Sequence, residues 1–189
     1  MDGYTDYTAT FHMILCECEK SLDSIRKEDV EILIDEILSA ERVFFVGVGR
    51  VMLSLEAIAK RLGHCGIHTI CVGQITEPAI TQKDLLIAAS GSGESLIPVG
   101  IARKAKSFGA RVIMIGSNLE STLASLADFV IRVPVRTKLK KDDEILSDQP
   151  MTSLFEQTLL LLGDTIAKII IEKLSLDMEE LWKYHANLE

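Results

Sequence analysis

The sequence predicts an α/β protein, a three-layer α/β/α sandwich whose central, mainly parallel five-stranded sheet lies between helices. Short apolar segments alternate with longer segments whose apolar residues recur at helical spacing. The short segments are apolar at successive positions, which is typical of parallel strands covered on both faces. With 189 residues, 48% of them hydrophobic, the chain is long enough for one well-buried domain.

The first 40 residues are predicted to be helical. Between Tyr7 and Ala40, apolar residues recur at intervals of three and four positions with charged residues between them. Two helices, or one helix bent near residues 27–29, fit this pattern. We expect residues 1–40 to form a helical arm before a domain of residues 41–189. Such an arm either mediates oligomerisation or packs on its own domain.

Strands and helices alternate through the middle of the chain. The predicted strands are residues 43–46, 69–72, 85–89, 111–115 and 129–133. Helices follow the first, third and fourth of these strands and end near Leu62, Phe108 and Leu126. A polar loop is expected over residues 134–151, then a helix over residues 152–174 and a second helix from about Asp177. Right-handed crossovers place the carboxyl ends of all strands at one edge of the sheet.

The third strand leads into a turn of hydroxyl groups and glycines, which runs from Ser90 through Gly91, Ser92, Gly93 and Glu94 to Ser95. The two glycines let the backbone approach a ligand. The three serine hydroxyls and the free N–H groups of the next helix supply hydrogen-bond donors. This combination is typical of a phosphate site. The alternative is an ordinary polar turn with a serine helix cap. Glu94 is expected to turn outward or to accept backbone N–H groups.

Two other strand ends are predicted to share this edge of the sheet. Residues 47–50, Gly-Val-Gly-Arg, follow the first strand, and Ser117-Asn118 follows the fourth. Arg50 is suited to an anionic ligand here, and a surface salt bridge is the alternative. The glycine pair is not a dinucleotide fingerprint because Met52 stands at the third glycine position, and no Walker loop is present. We therefore predict no cofactor.

Composition excludes several kinds of partner. The net charge is −8, and the one dense cationic cluster, within residues 138–141, is followed at once by acidic residues, so no nucleic-acid partner is expected. Charged residues interrupt the apolar run of residues 158–171, which is too short for a membrane span. The cysteines and histidines match no zinc spacing. Free thiols and the lack of a recognisable leader predict a cytoplasmic protein without a metal.

These motifs, in this order, resemble those of the sugar isomerase (SIS) domain family. The resemblance runs from about residue 40 to the end of the chain and rests on GVGR, SGSGES, SN, QPMTSLFEQ at residues 149–157 and HANLE at residues 185–189. SGSGE alone is typical of a phosphosugar-binding SIS domain. The last two motifs are similar to those of the 6-phospho-3-hexuloisomerases within this family. The resemblance implies a homo-oligomer, commonly a tetramer, that binds a phosphorylated ketose and serves carbohydrate metabolism through the ribulose monophosphate pathway of formaldehyde fixation.

The resemblance also assigns roles to individual residues. Ser90, Ser92 and Ser95 are expected to bind the phosphate. The other candidate substrate-binding residues are Gly47, Arg50, Gly91, Gly93, Ser117 and Gln157. Glu156 stands where SIS isomerases have their proton-transferring carboxylate. His185 matches a C-terminal histidine that subunit packing brings to the site. Two positions depart from the family pattern: Val51 replaces a serine, and Thr152 replaces a common glycine.

The implied reaction interconverts 3-hexulose 6-phosphate and fructose 6-phosphate through an enediolate. One carboxylate on one face of the substrate can make both carbon proton transfers, and Glu156 is the candidate. A neutral imidazole, that of His185, suits the exchange of the oxygen-bound protons, and Arg50 or Gln157 could stabilise the enediolate charge. The alternatives are an ordinary first-turn glutamate and a structural terminal histidine.

Two other functions stay open from the sequence. One is a phosphosugar-binding module without turnover, which the loss of a hydroxyl at Val51 motivates, because a fold does not determine an activity. The other is an aldose–ketose isomerase that acts on a sugar phosphate of different chain length.

Overall fold

The computed structural model describes residues 6–188, so residues 1–5 of the predicted arm and Glu189 of the terminal motif lie outside the described residues. The chain forms six α-helices and five strands over this range, followed by one 3-10 helix. In chain order these elements are α1 Tyr7–Asp23, α2 Lys27–Ser39, β1 Val43–Val46, α3 Arg50–His64, β2 Thr69–Cys71, β3 Leu85–Ala89, α4 Leu96–Ser107, β4 Arg111–Gly116, α5 Thr122–Leu126, β5 Phe129–Arg132, α6 Ser153–Lys173 and the 3-10 helix Glu180–Tyr184.

The five strands form one sheet in the order β2-β1-β3-β4-β5, and every neighbouring pair is parallel. The predicted fold class is therefore confirmed. Val43 pairs with Thr69 on one side and with Leu85 on the other, so the strand order reverses between β1 and β3. In open α/β sheets, ligands bind outside the carboxyl ends of the strands at such a switch point.

Alternate residues of the strands supply two separate hydrophobic clusters. Phe45, Ile87 and Ile113 face the layer of α1, α2, α3 and α6. Phe44, Leu86 and Val112 face the layer of α4 and α5. Burial on both faces explains why the strands are apolar at successive positions.

The N-terminal arm forms two helices rather than one bent helix, and it packs on its own domain. Residues of both helices, among them Cys18 and Leu33, belong to the same cluster as α3 and α6. No described helix is both long and apolar enough to cross a bilayer.

The second C-terminal helix predicted from about Asp177 is wrong. The segment forms only the short 3-10 helix, and none of that helix's five residues is buried. A helix in a globular protein depends on packing of an apolar face, and this segment buries too little to extend it.

Candidate active site

The three predicted loops lie together at the carboxyl edge of the sheet, since β1, β3 and β4 are neighbours. The backbone N–H of Ser117 donates to the carbonyl of Gly91 at 3.1 Å. The side-chain amide of Asn118 donates to the carbonyl of Ser92 at 3.3 Å. The loop after β4 therefore supports residues 90–95, which we call the serine loop.

Internal hydrogen bonds hold the serine loop in shape. Ser90 and Ser92 are buried. The hydroxyls of Ser90 and Ser95 lie 3.1 Å apart, and the Gly93 N–H donates to the Ser90 hydroxyl at 3.1 Å. Gly93 has φ +68°, and a Cβ there would lie 2.0 Å from the Ser121 hydroxyl oxygen, so this position requires glycine.

Ser95 occupies the N-cap position of α4, but its side chain makes no capping hydrogen bond. The alternative of a simple serine cap therefore does not describe this hydroxyl, which lies beside that of Ser90 instead. The start of α4 keeps the partial positive charge that favours an anion at a helix N-terminus.

Glu94 turns away from the centre of its loop and accepts hydrogen bonds from the backbone N–H and the hydroxyl of Thr122, each at 2.8 Å. These bonds lower the pKa of the Glu94 carboxyl. The expectation that Glu94 accepts backbone N–H groups is confirmed.

The carboxylate of Glu156 is held by one donor from the start of α3 and one from Thr152, the N-cap residue of α6. The guanidinium Nε of Arg50, at the start of α3, donates to Glu156 Oε2. The hydroxyl of Thr152 donates to Oε1 at 3.0 Å, and the hydroxyl of Ser54 donates to the Glu156 backbone carbonyl at 2.9 Å. The Glu156 side chain is 9% exposed and that of Arg50 is 66% exposed. The carboxylate is thus buried and oriented, whereas the cation faces outward.

The first turn of α6 borders the serine loop. A Cβ placed on Gly91 would lie 3.8 Å from the ring of Phe155, the residue before Glu156. The structure therefore brings Gly91, Arg50 and Glu156 to one region between the ends of β1 and β3. Donors suited to a phosphate and a buried carboxylate occur side by side there.

Two predicted site residues lie elsewhere within the chain. The side-chain oxygen of Gln157 accepts a hydrogen bond from the Cys18 thiol of α1 at 3.4 Å. His185 stacks on His64, with ring centroids 5.3 Å apart. Arg50 begins the 15-residue helix α3 and His64 ends it. Within one chain, His185 therefore lies about 21 Å, one helix length, from the start of α3 where Arg50 is located.

Two polar residues that support the site were missed from the sequence. Thr152 is singled out in the sequence only as a departure from the family glycine, although its spacing of four from Glu156 places both on one helix face. Glu144 is buried and accepts hydrogen bonds from the hydroxyls of Ser117 and Thr137, and from the N–H groups of Thr137 and Lys141. Glu144 had no signal in the sequence, because it follows other charged residues in the predicted polar loop of residues 134–151.

Val51, the departure from the family serine, packs against the core beside Gly47. The described part of the chain contains no cluster of three His, Cys, Asp or Glu side chains that could hold a metal ion. The four cysteines are free thiols.

The parallel sheet, the serine loop and the paired carboxylate together define an α/β protein with a candidate ligand site at the switch point. The SIS domain family model matches residues 36–164, and the chain belongs to this family. A 3-hexulose-6-phosphate isomerase from Bacillus subtilis is 40% identical, with 98% of each chain covered. One from Mycobacterium gastri is 37% identical and covers 97% of this chain and 92% of its own.

A solved structure gives the same result. A hypothetical protein from Methanococcus jannaschii, for which its crystal structure infers a molecular function of 3-hexulose-6-phosphate isomerase, superposes with a TM-score of 0.81 at 30% identity. The match covers 96% of this chain and 99% of that one. The prediction that this chain is an isomerase is confirmed by these relatives.

Proposed function

We propose that this chain interconverts 3-hexulose 6-phosphate and fructose 6-phosphate, with Glu156 as the base. The observation that carries the proposal is the buried carboxylate of Glu156, oriented by Arg50 and Thr152 next to the serine loop. The names of the relatives from Bacillus subtilis and Mycobacterium gastri support this choice of substrate.

In this proposal the serine loop holds the phosphate. The hydroxyls of Ser90 and Ser95 meet at one point, and α4 begins directly after Ser95. The substrate phosphate takes up hydrogen bonds from these hydroxyls, from Ser92 and from the N–H groups at the start of α4. Gly93, with φ +68°, lets the loop take this shape.

Proton transfer is the task of Glu156. Its carboxylate takes the proton from carbon 2 of the 3-ketose, which gives an enediolate across carbons 2 and 3, and returns it to carbon 3. The guanidinium of Arg50 is adjacent to the carboxylate and stabilises the negative charge that develops on the substrate oxygens. A 3-ketose with its phosphate on O6 does not readily form a ring on its carbonyl, so no ring opening is required when the reaction starts from the 3-ketose.

His185 of a neighbouring subunit completes the site in this proposal and exchanges protons between O2 and O3. The distance of one helix length within a chain supports a contribution in trans. The homotetramer, the cytoplasmic location and the place in formaldehyde fixation through ribulose monophosphate stay predictions from the sequence.

Isomerisation in D2O tests the proposal. We expect the purified protein to convert 3-hexulose 6-phosphate to fructose 6-phosphate with deuterium at carbon 3, because the base exchanges its proton with solvent. Glu156→Gln should lower kcat by at least about a hundredfold, the usual contribution of a positioned base. Glu172→Gln, an exposed change on the same helix, should leave kcat unchanged.

Other outcomes favour the alternatives. Thermal stabilisation by sugar phosphates without turnover would identify a binding module. Turnover of a pentose or heptose phosphate, but not of the hexulose, would overturn the substrate. Full activity of Glu156→Gln would remove Glu156 from the mechanism.

A further inference from the structure

Helix α1 lies outside the region that the SIS family model matches, which begins at residue 36. It nevertheless contributes a buried carboxylate near the N-terminus of α6, where the candidate active site lies. Glu17 is only 8% exposed. Burying a carboxylate without hydrogen-bond partners is strongly unfavourable. The hydrogen-bond partners of Glu17 therefore show which part of the chain it binds.

Glu17 binds the segment that leads into α6. Its carboxylate accepts hydrogen bonds from the Ser147 hydroxyl at 2.6 Å, the Asp148 backbone N–H at 2.8 Å and the Gln149 side-chain amide at 3.0 Å. The Gln149 N–H in turn donates to the Ser147 hydroxyl at 3.1 Å. One side chain of α1 thus fixes three successive residues of a segment without regular secondary structure.

This segment ends at the residue that orients the proposed base. Met151 has φ +55°, a left-handed conformation that is strained for a side chain other than glycine and persists only where its surroundings impose it. The next residue, Thr152, donates its hydroxyl to Glu156. A shift of residues 147–149 would be transmitted through only two residues to the group that holds the carboxylate.

We propose that Glu17 is a positioning residue for the isomerase site: by binding residues 147–149, it fixes Thr152 and with it the Glu156 carboxylate. The proposal rests on the proposed function, in which Glu156 is the base. Two neighbouring contacts bring α1 to the same turn of α6, where Cys18 meets Gln157 and the Ser21 and Thr158 hydroxyls lie 2.9 Å apart.

The charge of Glu17 is suited to this role. Burial raises the pKa of its carboxyl, but the bonds from Ser147, Asp148 and Gln149 outweigh burial and hold the pKa below its usual value. The side chain is therefore an anion at neutral pH, and hydrogen bonds to an anion are stronger than those between neutral groups.

Glu17→Gln tests the proposal in the intact protein, with hydrogen–deuterium exchange and kinetics as readouts. We expect faster amide exchange within residues 147–156 and a kcat that is roughly ten- to a hundredfold lower, the effect of a slightly misplaced catalytic group. KM should stay within about twofold, because the serine loop is untouched. Glu19→Gln, an exposed change on the same helix, should match the wild type in both readouts.

A second variant separates positioning from a general loss of stability. The swap Glu17→Gln with Gln149→Glu restores a carboxylate–amide pair and should recover slow exchange and most of kcat. Unchanged exchange in Glu17→Gln, a kcat equal to that of Glu19→Gln, or a swap as slow as the single variant would each overturn the proposal. A wild type inactive on 3-hexulose 6-phosphate would overturn the proposed function alone, and exchange within residues 147–156 would then decide the role of Glu17.

Discussion

Orientation matters as much as identity for the carboxylate of Glu156. Arg50 and Thr152 approach different oxygens of this carboxylate, so the group is fixed in rotation as well as in place. Arg50 is exposed and long, and it can turn to substrate oxygens with little movement of its backbone. Thr152 is short and acts only on the carboxylate. Its contribution can therefore be measured separately from that of the guanidinium.

Thr152→Val is the most direct test of this orientation. Valine keeps the shape but removes the hydroxyl that donates to Glu156 Oε1, and Thr152 makes no side-chain helix cap that would be lost with it. A hydrogen bond to a charged group contributes about 1.5–3 kcal/mol, so we expect kcat to fall roughly ten- to a hundredfold with little change in KM.

Steady-state kinetics of two further variants complete this test. Thr152→Ser keeps the hydroxyl and should keep most of the activity. Thr165→Val removes a hydroxyl on the same helix that donates to the Leu161 carbonyl, and it should have no effect. Equal rates for Thr152→Val and the wild type would show that this hydroxyl does not orient the base.

Secondary structure elements were predicted better than the contacts between them. The strand β3 was predicted with its observed ends, because burial on both faces makes each of its residues apolar. The C-terminal helix was wrong, since spacing does not reveal how little of that segment is buried. The pattern of apolar residues therefore predicts a strand or helix correctly where that pattern reflects how much of the segment is buried.

The candidate site was only partly predictable for a related reason. The serine loop was recognised because three hydroxyls and two glycines fall within six residues, directly between a strand and a helix. Glu17 and Glu144 were not, because a carboxylate in a polar stretch is normally solvated. Both are buried by residues distant in the chain or by an irregular loop, and sequence alone gives no sign of such partners.

The docking of α1 on residues 147–149 should depend on pH through Glu17. Its pKa is lower in the folded chain than its ordinary value of 4.5, so its bonds stabilise the fold above that pH and are lost as the pH falls through the folded value. The Tm difference between the wild type and Glu17→Gln should thus be constant near neutral pH and shrink below 4.5.

Thermal unfolding over a pH series measures this difference. Glu19→Gln is the control for removal of an acidic group from the same helix. If the Tm difference between the wild type and Glu17→Gln grew as the pH fell below 4.5, the pKa of Glu17 would not be lowered in the folded chain.

At the scale of the whole molecule, the two proposed catalytic residues lie at opposite ends of α3. Arg50 and Glu156 meet at its start, whereas His185 stacks on His64 at its end. Large apolar side chains are exposed around the site edge, including Leu96 at 86% and Met151 at 96%. A second copy of the chain that covers this edge would bury them and supply the missing imidazole, as closed symmetric assemblies allow.

Mixed oligomers distinguish a histidine in trans from one in the same chain. We expect Glu156→Gln and His185→Ala each to be nearly inactive alone, while co-expressed chains regain roughly a quarter of the wild-type activity, because one in four sites combines an intact Glu156 with an intact His185 from its neighbour. As a control, Glu156→Gln mixed with the double variant Glu156→Gln and His185→Ala offers no intact carboxylate and should stay inactive. The specific activity of the purified mixed oligomers is the measurement. If His185 served its own chain, no mixed assembly would contain an intact site, and activity would not exceed the sum of the parents.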